Sequence, residues 1–183
     1  ADCDRVVDDG CPTGAVEFLN PIDSALTGWL PFGDTWDGEG CPPGDVIVGF
    51  YGHYAEYLNE VAEHCDTPTI VADTSTTPYT YSFELMPSTS ALPRGGAMGT
   101  QYNEVCPAGT MVVEISGLSG SWIDQLSFTC AAFELIDFEI REVPGSRTLV
   151  PLAAGGTGGA AFSLACDIDT AASPIRSDPS FSD

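Results

Sequence analysis

The side chains best suited to chemistry are two histidines, seven cysteines and 27 acids. A Ser-His-Asp triad would need His53 or His64. Both lie inside a segment that occurs twice in the chain, His64 beside Cys65, with no nucleophile-elbow sequence near either. A glycosidase needs two carboxylates facing each other across a cleft, which spacing alone does not display. The chain is therefore expected not to be an enzyme. No two cysteines form a CxxC pair, so a zinc site is poorly supported. The clusters Asp34, Asp37, Glu39 and Asp8, Asp9 offer oxygen ligands, but neither fits the 12-residue EF-hand loop. Solvated turns are the expectation there, with calcium as the alternative and no other cofactor. Trp122, in the stretch "GLSGSWID", is either a core anchor at a strand end or part of a turn that holds a ligand.

The elements that must position these residues come in copies. "CPPGDVIVGFYGHYAEYLNEVAEHC" (41–65) and "CPAGTMVVEISGLSGSWIDQLSFTC" (106–130) align without a gap. Cys41, Pro42, Gly44, Val48, Gly52 and Cys65 have identical partners in Cys106, Pro107, Gly109, Val113, Gly117 and Cys130. Gly95-Gly96 and Gly155-Gly156 repeat in the flanks, as do the spacings from Cys3 to Pro31 and from Cys65 to Pro93. Repeats of this kind are read before anything else. They give one domain over 1–166 with three units, about 31–65, 95–130, and 155–166 joined with 1–30. A polar, Pro-broken tail occupies 167–183 and is expected to be extended or unstructured.

Strand is expected throughout. "DVIVGFYG", "YTYSFEL", "TMVVEISG" and "QLSFTCAAFELIDFEI" are β-branched and aromatic, and 20 Gly and 14 Pro punctuate the chain. "HYAEYLNEVAEH" has apolar residues at helical spacing, but its match to "LSGSWIDQLSFT" favours strand. In "ELIDFEIRE" the acids Glu134, Asp137, Glu139 and Glu142 do not share one face and read as edge charges. Each repeat's cysteines bracket a strand-turn-strand, so Cys41–Cys65 and Cys106–Cys130 are expected as disulfides. Cys3 pairs with Cys166 by analogy, and Cys11 competes for that place. The odd count leaves one thiol free or bonded between chains.

Composition bounds the partners. Five Lys+Arg against 27 Asp+Glu give a net charge of −22, which repels nucleic acid and anionic lipid surfaces. Eighteen consecutive apolar residues occur nowhere, so membrane insertion by a helix is not expected. The start "ADCDRVV" reads as a mature chain after removal of a signal peptide. Together with disulfides this points to a secreted, extracellular or cell-surface protein.

The strand pairs "VIVGFYGHYAEYLNEV" and "VVEISGLSGSWIDQLSF" and the Gly-rich "GGTGGAAFSL" resemble the jacalin-related lectins, and the disulfide-stapled form resembles the vitelline outer-layer proteins. The resemblance covers about 100 of the 183 residues. It implies an all-β β-prism: three antiparallel sheets about a pseudo-threefold axis, the third completed by the chain termini or by a partner. It also implies a carbohydrate site on a G-x-x-x-D loop, here Gly120-Ser121-Trp122-Ile123-Asp124, closed by Gly155-Gly156. There a carboxylate accepts from adjacent hydroxyls, glycine backbone approaches the ring, and an indole covers its apolar face. In the first unit the same frame ends in Tyr57 and Asn59 with Gly95-Gly96, a degraded second site. The same turn could equally be structural, with Trp122 and Tyr57 capping the core.

Two functions follow. One is a lectin-like protein that binds glycans. The other is a structural subunit of an extracellular filament, coat or matrix, a homopolymer assembled by strand complementation or an inter-chain disulfide.

Overall fold

The computed structural model describes residues 14–15, 40–42, 44–120, 122–136 and 139–165. Every regular element among them is a strand: β1 (Gly14–Ala15), β2 (Val46–Tyr54), β3 (Leu58–Asp73), β4 (Thr80–Pro87), β5 (Arg94–Gly95), β6 (Thr100–Val105), β7 (Thr110–Ser119), β8 (Ile123–Ile136), β9 (Glu139–Glu142), β10 (Thr148–Gly155) and β11 (Ala160–Ala165). The all-β expectation holds, including strand where "HYAEYLNEVAEH" competes for helix. The turn between β2 and β3 interrupts the helical spacing, and the register carries Val61 and Ala62 alongside Gly52 and Tyr51.

The strands form two curled antiparallel sheets. In the first the order is β1-β3-β2-β6, with β4 and β5 also on β3; in the second it is β10-β8-β7-β11, with β9 on β8. "QLSFTCAAFELIDFEI" is not one strand. It folds back, pairing Ile136 with Glu139, and the second strand returns Ile140 to the core cluster of Phe133 and Leu135.

The sequence repeat is a repeat of register. Gly52 lies opposite Val61 and Tyr102; Gly117 lies opposite Leu126 and Phe162. Irregularities fall at Ile47/Gly49 and His53/Tyr54 in one hairpin and at Val112/Glu114 and Leu118/Ser119 in the other, the same places in the alignment. Gly95 pairs with Glu60 as Gly155 pairs with Gln125. Each glycine-rich flank therefore joins the sheet of the hairpin that precedes it, not the one that follows it in sequence.

The core lies between the sheets. Phe50 of β2 meets Phe128 of β8 edge to face, ring centroids 5.2 Å apart. Ile47, Val112, Ile115, Leu126 and Leu152 pack around them, and Val46, Met111, Val113 and Phe133 form a second cluster. The two expected disulfides are present, Cys41–Cys65 and Cys106–Cys130, with Cα atoms 5.6 and 5.7 Å apart. Each closes a hairpin at its open end and contributes about 3 kcal/mol in the chain-entropy model. Cys3, Cys11, Cys166, the acidic clusters at 8–9 and 34–39, and the tail lie outside the described residues.

Candidate functional site

Each hairpin ends in a turn of the same design. Ala55 N–H donates to the Tyr57 carbonyl at 3.0 Å, and Gly120 N–H donates to the Trp122 carbonyl at 2.8 Å. This tight closure turns the aromatic side chain outward: Tyr57 is 37% and Trp122 52% exposed. Because the sheets face each other, the two tips meet. The Tyr57 ring and the Trp122 indole stack, centroids 5.6 Å apart and planes 17° from parallel. Such a pair is worth about 0.5–1.5 kcal/mol beyond its buried area.

Beside this pair opens a groove of about 320 Å³. Tyr57, Asn59, Gly95 and Gly96 line it from the first unit, and Trp122 and Ile123 from the second. The sequence assigns Tyr57, Asn59, Gly95 and Gly96 to one site and Trp122 to another; the structure brings them together in one cleft. The Met98 side chain, 69% exposed, stands at its rim. Asn59 Nδ2 donates to the Met98 carbonyl at 2.8 Å, and Gly96 N–H donates to the Asn59 carbonyl at 2.8 Å, so the Gly95–Met98 loop is tied down. Below, the buried Arg94 guanidinium pairs with Glu63, Nη1 to Oε1 3.3 Å. Glu60, also lining the groove, is hydrogen-bonded to His53 Nδ1.

The remaining G-x-x-x-D residues take different places. Asp124 packs against the second glycine pair of "GGTGG". A Cβ added to Gly158 would lie 3.2 Å from Asp124 Oδ1, and one on Gly159 2.6 Å from Oδ2. Gly159 has φ +77°, a backbone shape that favours glycine, and its counterpart Gly99 has φ +100°. Gly120 borders the same carboxylate, with its hypothetical Cβ 3.6 Å from Oδ2. Gly155 pairs with Gln125 of β8, and Gly156 backs onto the Glu56 carbonyl of the first unit's turn. Ser121 lies outside the described residues. Asp124, Gly120 and Gly158-Gly159 thus form a braced loop, while the open cleft lies at the Tyr57–Trp122 pair.

Met98 and Gly158-Gly159 are not among the residues expected from the sequence. The signal was available: aligning Gly95-Gly96 with Gly155-Gly156 also aligns Met98-Gly99 with Gly158-Gly159, opposite Asn59 and Asp124 respectively. Among the described residues no group of three His, Cys, Asp or Glu side chains could hold a metal ion. Among the described residues no helix is long and apolar enough to cross a membrane.

No family model matches the chain, and no curated protein and no solved structure gives a match to it.

Proposed function

We propose that this is a secreted, lectin-like protein that binds carbohydrate, without transforming it, in the groove beside Tyr57 and Trp122. The observation that carries the reading is the half-exposed aromatic pair beside a largely apolar cleft that also carries Asn59, Glu60 and glycine backbone. Sugars present an apolar C–H face and a rim of hydroxyls. An aromatic wall covers the first, and Asn59 and the glycine backbone at 95–96 meet the second. The resemblance of both hairpins to the jacalin-related lectins supports the same class of ligand, and a third sheet completing a β-prism belongs to this reading.

A glycan array probed with the full chain tests it. A saccharide class should be retained, and Trp122→Ala should weaken it about tenfold, the equivalent of about 1.4 kcal/mol. Asp124→Ala, at the braced loop, should change affinity less. The absence of any bound glycan overturns the proposal; loss with Asp124→Ala but not with Trp122→Ala moves the site off the groove and overturns its placement.

The alternative, a structural subunit, is favoured by one observation. Among the described residues β11 hydrogen-bonds to β7 and to no other strand, an edge that a second chain could extend. Light scattering across a concentration series, with and without reductant, should then show assembly. A monomer under every condition excludes it.

A further inference from the structure

A second cavity of about 320 Å³ opens on the first sheet and shares no lining residue with the groove. His64 and Ser90 lie in its wall, among Val48, Pro87, Val105 and Pro107. Ser90 Oγ is 3.1 Å from His64 Nδ1, and His64 Nε2 is 2.8 Å from Asn103 Oδ1. The Asn103 carbonyl oxygen can only accept, so in the neutral ring it selects the tautomer with the proton on Nε2. Nδ1 is then left with its lone pair toward the Ser90 hydroxyl. A hydroxyl, a base and an acceptor that fixes the base's tautomer are the parts of an activated nucleophile.

The three groups come from separate elements, and each is held in place. Ser90 sits in the loop after β4, which is pinned on both sides: Ser88 N–H donates to the Cys65 carbonyl at 3.1 Å and Ala91 N–H to the Glu63 carbonyl at 2.9 Å. The Tyr51 hydroxyl donates to the Ala91 carbonyl at 2.7 Å, and its ring lies 4.8 Å from the His64 imidazole. His64 is on β3 and Asn103 on β6, with β2 between them, about 5 Å from each. Gly49 of β2 pairs with both His64 and Val105 and carries no side chain to stand in the way. The second unit lacks the arrangement. Its counterparts of Gly49, His64 and Asn103 are Glu114, Thr129 and Ser163, and Ser163 Oγ donates to Glu114 Oε1 at 2.7 Å.

We infer that Ser90 is an activated nucleophile that accepts an acyl group from small carboxylic esters, with His64 as its base and Asn103 as the positioning residue. Ser90 Oγ adds to the ester carbonyl carbon as Nδ1 takes the hydroxyl proton. The adduct collapses, the bond to the leaving oxygen breaks, the leaving alcohol receives the proton, and the acyl group stays on Oγ. Water activated by the same nitrogen then releases the carboxylic acid and frees the serine. Val48, Pro87, Val105 and Pro107 offer a short acyl chain apolar contact in a wall that also carries Asp66, Ser88 and Thr110.

The test is p-nitrophenyl acetate applied to the full disulfide-bonded chain, with the acetyl group located by peptide mass spectrometry. A single acetyl on Ser90 is expected, absent in Ser90→Ala. His64→Ala should slow labelling at least about 100-fold, and added imidazole should restore part of the rate. Asn103→Asp, which keeps the acceptor oxygen, should label faster than Asn103→Leu. Acetyl found on other residues only, or Ser90 labelled at an unchanged rate in a His64→Ala protein with both disulfides intact, overturns the assignment.

Discussion

Glu63 and Phe128 occupy the same place in the two hairpins. Glu63 lies opposite Phe50 and Phe128 opposite Ile115, in matching registers, and both are buried. Phe128 is fully enclosed in the core between the sheets. Glu63 instead faces the buried Arg94 of β5, whose counterpart in the second unit is Ala154. One backbone thus tolerates either an apolar contact or an ion pair at this point. The two solutions differ in cost. Phe128 stabilises by leaving water. Glu63 must be desolvated, and no hydrogen bond reaches its Oε2 among the described residues. Burial pushes its carboxyl above the ordinary value of 4.5, and the Arg94 guanidinium only partly offsets this.

Removing half of the ion pair should have the largest effect. Arg94→Ala leaves a buried carboxylate uncompensated and should destabilise the fold by about 3–5 kcal/mol in urea unfolding. Installing both residues of the second unit, Glu63→Phe with Arg94→Ala, should instead be neutral or stabilising by about 1–4 kcal/mol. The pH dependence has a definite sign. Because the folded value of Glu63 is raised, its contribution is present below 4.5 and lost as pH rises through the folded value. The margin of the double variant over the wild type should therefore widen as pH rises above 4.5. A margin that narrows, or a double variant as weak as Arg94→Ala, means that the first unit depends on its ion pair.

The same contrast explains what was legible in the sequence. The repeat was, because Cys, Pro and Gly positions are set by local needs: a disulfide, a chain reversal, a close backbone approach. Identity at Cys41/Cys106, Gly52/Gly117 and Cys65/Cys130 was enough to place both hairpins and both disulfides. The pairing of the flanks was not. Strands β5 and β6 join the preceding sheet through main-chain hydrogen bonds, which leave little mark on side-chain identity. The aromatic turns were legible one at a time. Their meeting was not, because the Tyr57–Trp122 stack depends on how two sheets pack, a long-range property. The His64–Asn103 bond likewise spans two strands, and nothing in the spacing of 64, 90 and 103 signals it.

The smallest difference between the units is the single pair Asn59 and Asp124, and it has the most specific consequence. In the first turn Asn59 donates Nδ2 to the Met98 carbonyl at 2.8 Å, which fixes one edge of the groove. A carboxylate cannot donate, so the second turn holds its loop differently: Asp124 lies against Gly158-Gly159, where there is no side chain to exclude it. Asn59→Asp should therefore set a carboxylate against the Met98 carbonyl, both acceptors. The loss should be about 1 kcal/mol, modest because the bond is exposed. Its larger effect should be local, with faster amide hydrogen exchange over 95–99 and little change over 155–159. Asp124→Asn regains a donor and keeps the shape, so it should be close to neutral. If Asn59→Asp leaves exchange at 95–99 unchanged, the two turns are interchangeable and the groove owes its form to Gly95-Gly96 and the aromatic pair alone.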